Sequence, residues 1–233
     1  MIKSSNAVLA LWNGTTAEPG EYNTWHTQEH VLERLTVPGF LSARRYVRER
    51  GSLPEYFTMY WLAESGPLRS RDYFKLLESP SGQSERMRNG LTDVLRKVCV
   101  DVSYSGRGIG GAAAIKLLTF SPAIIPRLRA FWDRQQGQAI TSLTFGVFEM
   151  GITDLPFKTD SYLLPDTTNS FLLVEGFDSA MLAGNLEAMD QFLHESLGSV
   201  TQWTNYRLAF VVGNEDALAT SNHPGACLDL IHS

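Results

Sequence analysis

The chain has 233 residues, with 20 Lys and Arg against 25 Asp and Glu and a formal net charge of −5. That balance excludes a basic nucleic-acid binder. A composition of 43% hydrophobic and 19% charged residues excludes a disordered chain and leaves one large globular domain or two small ones.

Residues 1–6 carry one basic side chain, and the apolar stretch behind them, 7–12, is too short for a signal-peptide core, so no targeting segment is expected. No apolar run approaches the ~18 residues of a membrane span, and a soluble chain with no membrane partner is expected. Cys99 and Cys227 lie far apart, with no CxxC or Cys/His cluster near either. A reducing cytoplasm therefore fits best, and Cys99 reads as a small core residue.

Residues 7–13 (AVLALWN) form a short apolar strand closed by the turn signal Asn13-Gly14. Residues 21–35 contain no Pro or Gly, carry Glu in the first turn, and set Trp25, Leu32 and Leu35 near one side of a helical wheel, which predicts an amphipathic helix. Pro38-Gly39 stops it. Strands are predicted at 40–48 and 56–63, paired as antiparallel neighbours. Ser70 is the expected N-cap of a helix to 78, which the Ser79-Pro80-Ser81-Gly82 break separates from a second helical stretch, 85–98. A strand at 99–104 completes the order β-α-β-β-α-β.

Beyond the glycine-rich segment 106–111 the order repeats: strand 112–120, helix 122–136, strand 141–152, a long loop 151–170, strand 171–177, helix 180–197 and strand 201–212. The glycines lie between two predicted strands and open no helix, so they read as a junction and not as a dinucleotide loop. The fold class expected is α+β, as two tandem ferredoxin-like β-α-β-β-α-β units, 1–107 and 108–213, followed by a polar tail, 214–233. In 56–63 both alternating faces are apolar: Tyr56, Tyr60 and Leu62 on one, Phe57, Met59, Trp61 and Ala63 on the other. Helices cover one face only, so the second must be covered by the other unit's sheet. Packing sheet to sheet within one chain gives an α+β barrel with its helices outside.

The stretch Glu21-Tyr22-Asn23-Thr24-Trp25-His26-Thr27-Gln28-Glu29-His30-Val31-Leu32-Glu33, continuing through Pro38-Gly39-Phe40 to Ala43-Arg44-Arg45-Tyr46, resembles the dimeric α/β barrel superfamily. More narrowly it is similar to the EthD-like group, in which a W-x3-EH-x-x-E helix leads through a PGF turn into an arginine-aromatic strand. The resemblance implies a barrel usually made by two chains and made here by one. It also implies a small-molecule enzyme in a superfamily of monooxygenases, isomerases, dehydratase-like enzymes and haem-binding relatives.

On the helical wheel His26, Glu29, His30 and Glu33 fall on one flank beside the apolar side made by Trp25, Val31, Leu32 and Leu35. Two imidazoles and two carboxylates at the edge of a packed surface suit acid-base work near neutral pH. The same spacing also suits an ordinary solvated i,i+4 network. Tyr22 and Trp25 on this helix, with Arg44, Arg45, Tyr46 and Tyr60 on the following strands, are the candidate pocket walls. Arg44 and Arg45 point to opposite faces, and either guanidinium suits an anionic substrate.

His26 to His30 also fits H-x-x-E-H, the inverted zinc-peptidase motif, but no further ligand motif follows, and no metal or other cofactor is expected. His194 is the one second-half helical histidine that the haem-binding relatives make a candidate axial ligand. The expected function is a small-molecule enzyme with His30 as acid-base group, assisted by His26, Glu29 and Glu33, on an anionic or aromatic substrate. The alternative is a non-catalytic ligand-binding or interaction module. A homodimer is allowed but not required.

Overall fold

The computed structural model describes residues 7–119, 121–135, 140–149, 155, 167–197 and 201–222. Its first half runs β1 (Ala7–Thr15), α1 (Pro19–Trp25), a π turn (His26–His30), α2 (Val31–Leu35), β2 (Phe40–Arg50), β3 (Tyr56–Leu62), α3 (Arg71–Glu78), α4 (Gly82–Asn89) and β4 (Leu91–Gly106). The second half repeats the order as β5 (Ala112–Leu118), α5 (Ile125–Gln135), β6 (Ile140–Phe148), β7 (Ser170–Gly176), α6 (Ser179–Leu197) and β8 (Thr204–Gly213), with α7 (Asn214–Asn222) behind it. Local chemistry sets the helix starts. The hydroxyls of Ser70 and Ser81 accept the backbone N–H groups of Tyr73 and Ser84 at the heads of α3 and α4.

The eight strands close into one barrel in the order β1-β3-β2-β8-β5-β7-β6-β4. Each half contributes a ferredoxin-like sheet, β4-β1-β3-β2 and β6-β7-β5-β8, all pairs antiparallel. The halves do more than face each other: β2 hydrogen-bonds to β8 and β4 to β6. A face-to-face stack would leave four unpaired edges, and closure satisfies their backbone groups.

The two-sided apolarity of β3 resolves as expected. Phe57, Met59 and Trp61 point into the barrel with Trp12, Cys99, Phe148 and Phe171, and Tyr60 and Leu62 pack outward under the first-half helices. A separate outer layer lies under α5 and α6. The barrel interior thus holds a packed apolar and aromatic core.

Two boundaries differ from the expectation. The helix predicted over 85–98 ends at Asn89, and Leu91 onward is strand β4, paired from Leu91 to Val100 with β1. Gly90 ends the helix, and the residues beyond alternate: Leu95 and Cys99 face the barrel, whereas Val98 faces the helices. That period of two is what a strand needs. The segment after β8 is not simply a polar tail, because α7 packs against α2 and β2 and buries Ala217. The predicted covering loop, 151–170, lies largely outside the described residues.

Candidate active site

The first-half helix opens with Pro19 at its first position and Glu21 in its first turn, and it buries Tyr22 and Trp25 against the outer face of the sheet. The Tyr22 hydroxyl meets the buried Asn13 amide of β1, Nδ2 to Oη 2.8 Å and Oη to Oδ1 3.1 Å. The Tyr22 ring lies against Tyr56, with centroids 4.4 Å apart. Arg45, pointing outward from β2, holds the helix from below: it donates to the Thr27 hydroxyl and the Asn23 side chain and lies over the Tyr22 ring.

The chain then widens by one π turn at His26–His30, a local irregularity that recurs at functional sites. It turns both imidazoles toward the sheet, with ring centroids 4.9 Å apart, His30 lying 4.7 Å from Trp25 and His26 5.4 Å from Tyr22. Both are buried, and Nδ1 of each has no hydrogen-bond partner.

These side chains line a cavity of about 500 Å³ between the helices and the outer face of the first-half sheet. Asn13, Tyr22, Trp25, His26 and His30 stand on its wall together with Arg34, Arg88 and Arg96. Burial first, and then the guanidiniums of Arg45 and Arg34, hold His26 well below the ordinary histidine value. Burial, then Arg34, lowers His30 in the same way. Both are neutral imidazoles at neutral pH, the form that accepts a proton.

The remaining candidates fall elsewhere. Glu29 turns from the cavity toward α4, where it accepts the hydroxyls of Ser81 at 2.5 Å and Ser84 at 2.7 Å, and Ser84 also accepts the Trp25 indole N–H at 2.9 Å. Glu33 is half-buried, its carboxyl raised chiefly by burial, and lies 3.7 Å from Arg34. Glu29 is engaged by the two serines, and Nδ1 of His30 has no hydrogen-bond partner, so no carboxylate is bonded to that nitrogen. Arg44 and Tyr46 point into the barrel, where both bond Glu175 of β7 at 2.8 Å. Buried there, they are removed from the cavity. Tyr60 is buried under the helices with its hydroxyl unpartnered.

Arg34, Arg88 and Arg96 were not among the sequence candidates. Arg34 had a signal, since it follows His26 and His30 at steps of four on the same helical stripe. Arg88 and Arg96 carry none, because the residue spacing predicts one continuous helix over both.

Among the described residues no group of three His, Cys, Asp or Glu side chains is placed to hold a metal. In the second half the inner face of α6, with Leu182, Leu186, Met189 and Leu193, fills the space above the sheet. His194 faces outward and is exposed. The described residues of that half therefore do not fit a haem.

No family model matches the chain, and no curated protein does. Solved structures do. An anthrone oxidase-like protein is 9% identical, with a TM-score of 0.62 over 91% of this chain and 94% of its own. A protein from Fusobacterium nucleatum subsp. nucleatum described as a monooxygenase is 8% identical, with a TM-score of 0.56 over 91% and 96%. A haem-binding protein from Thermus thermophilus is 10% identical, with a TM-score of 0.50 over 93% and 94%. No helix among the described residues is long and apolar enough to cross a membrane. At these identities the likeness concerns architecture alone, and what it establishes is that the chain has the ferredoxin-like α/β barrel fold.

Proposed function

We propose that the protein is a small-molecule enzyme of the EthD-like barrel type, in which His30 takes a proton from a carbon acid held between the first-half helices and the sheet. The observation that carries this reading is the pair of buried, neutral imidazoles on the wall of a cavity of about 500 Å³. Tyr22 and Trp25 supply aromatic surface for a flat substrate, and His26 stands beside His30 as the second proton acceptor. The resulting carbanion is delocalised in the substrate. Returned to another carbon the proton completes an isomerisation, and loss of a leaving group completes a lyase reaction. Attack on dioxygen completes a cofactor-independent oxygenation, in which CH2 and O2 become C=O and water.

The likeness to an anthrone oxidase-like protein makes anthrone the first probe. The purified protein is expected to accelerate exchange of the anthrone methylene protons in D2O. H30Q should reduce that rate by about 10²–10⁴-fold, the usual worth of a general base, with unchanged circular dichroism. Exchange in H30Q equal to that of the unaltered protein overturns the assignment. The competing reading, a non-catalytic ligand-binding module with the same barrel, requires anthrone to bind without any acceleration of exchange.

A further inference from the structure

We propose that Arg34, Arg88 and Arg96 form an anion subsite in the first-half cavity, so that the substrate is an apolar or aromatic molecule bearing a carboxylate or a phenolate-type oxyanion. This rests on the reading of the cavity as a substrate site and deepens it. The three arginines share the cavity wall with a single carboxylate, Glu78, while both histidines are neutral. The wall therefore carries a net positive charge of two in a space otherwise bounded by apolar side chains such as Leu11, Phe74 and Leu77.

Arg34 is 4% exposed, and its Nη1 has no hydrogen-bond acceptor. The nearest carboxylate oxygen, of Glu33, is 3.7 Å away, beyond hydrogen-bond distance. Arg88 is tied to α3 through the carbonyls of Leu76 and Leu77, at 3.1 and 3.3 Å, which holds its guanidinium in place. The positive groups also act on one another: after burial, Arg34 is the neighbour that most lowers Arg88, and it lowers Arg96 as well. A bound anion relieves that repulsion and supplies the acceptor that Nη1 of Arg34 lacks. It also places the negative charge that develops on proton transfer to His30 beside three fixed cations, all within electrostatic reach of that imidazole.

Isothermal titration with 1-naphthoate and its neutral isostere 1-naphthamide tests this by binding alone. The unaltered protein is expected to bind naphthoate at least tenfold more tightly than naphthamide. R34Q should remove that preference, R34K should keep most of it, and R88Q, scored in parallel, should weaken naphthoate binding should R34Q fail to fold. The preference is read by binding alone in the unaltered protein and the arginine variants, so a failure of the proton-exchange test at His30 leaves the subsite standing on its own measurement. Equal affinity for the two probes, or an undiminished preference in both R34Q and R88Q, overturns the proposal.

Discussion

Arg44 of β2 and Glu175 of β7 meet inside the barrel, Nη1 2.8 Å from Oε2, across 131 positions of sequence. Glu175 is fully buried and also accepts the hydroxyls of Tyr46 and Ser142. One carboxylate from the second half thus gathers two side chains of the first-half strand β2 and one of its own neighbour β6. The guanidinium lies over the Trp61 ring, 5.4 Å from its centroid. The cluster is a polar clasp between halves whose shared core is otherwise dominated by apolar and aromatic side chains.

Removing one member of such a pair leaves the other charged and buried, at a cost of about 3–5 kcal/mol. E175A is expected to lose stability of that order in urea unfolding, and E175Q less, because Gln still offers an acceptor. Loss of less than about 1 kcal/mol in E175A would show that water or another side chain replaces the clasp.

The two cavity histidines make stability depend on pH. Their folded-state values lie well below 6.5 because burial disfavours the charged ring. Above pH 6.5 both states hold neutral rings and nothing is lost. As pH falls through 6.5 the unfolded chain takes up protons that the native state refuses, and stability drops by about 1.4 kcal/mol per histidine for each pH unit. From pH 7.5 to 5.5 the pair should therefore cost about 2–3 kcal/mol. Urea midpoints at the two pH values, compared with those of H26Q/H30Q, check this. An equally steep loss in the double variant would place the protonating groups elsewhere.

The junction between the halves discriminates sharply between its glycines. A Cβ on Gly110 would overlap the backbone of Gly176 on β7, whereas one on Gly108 would meet nothing within 4 Å. G110A is expected to destabilise by about 1–3 kcal/mol, as overpacking does, and G108A to stay within about 0.5 kcal/mol. Thermal melting of the two variants measures both. Equal melting temperatures would mean that the segment is a free linker.

Much of the architecture was legible because strands and helices write different periods into a sequence. The two apolar faces of β3 require cover on both sides. Where two periods overlapped the reading failed: Leu91 to Val98 extends an apparent helix, and only pairing with β1 decides for a strand. The site followed the same division. Tyr22, Trp25, His26 and His30 were visible as a helical stripe, whereas the orientation of Glu29 depends on Ser81 and Ser84, more than 50 positions away.

The sequence alone determined that two like units must share a core, since residues that are apolar on both faces of a strand have no other stable place. It also put two imidazoles on one helical flank beside an apolar face, and their burial came from the packing of that helix on the sheet. Tertiary structure decided which charges reach them. Arg44 went inward to Glu175 and Arg45 outward to the helix because β2 alternates, and Arg88 and Arg96 joined Arg34 because α4 and β4 fold back over the same stretch of sheet. Charge pairing across long sequence separations has no local signature, and here it separates a structural clasp from a positively charged cavity.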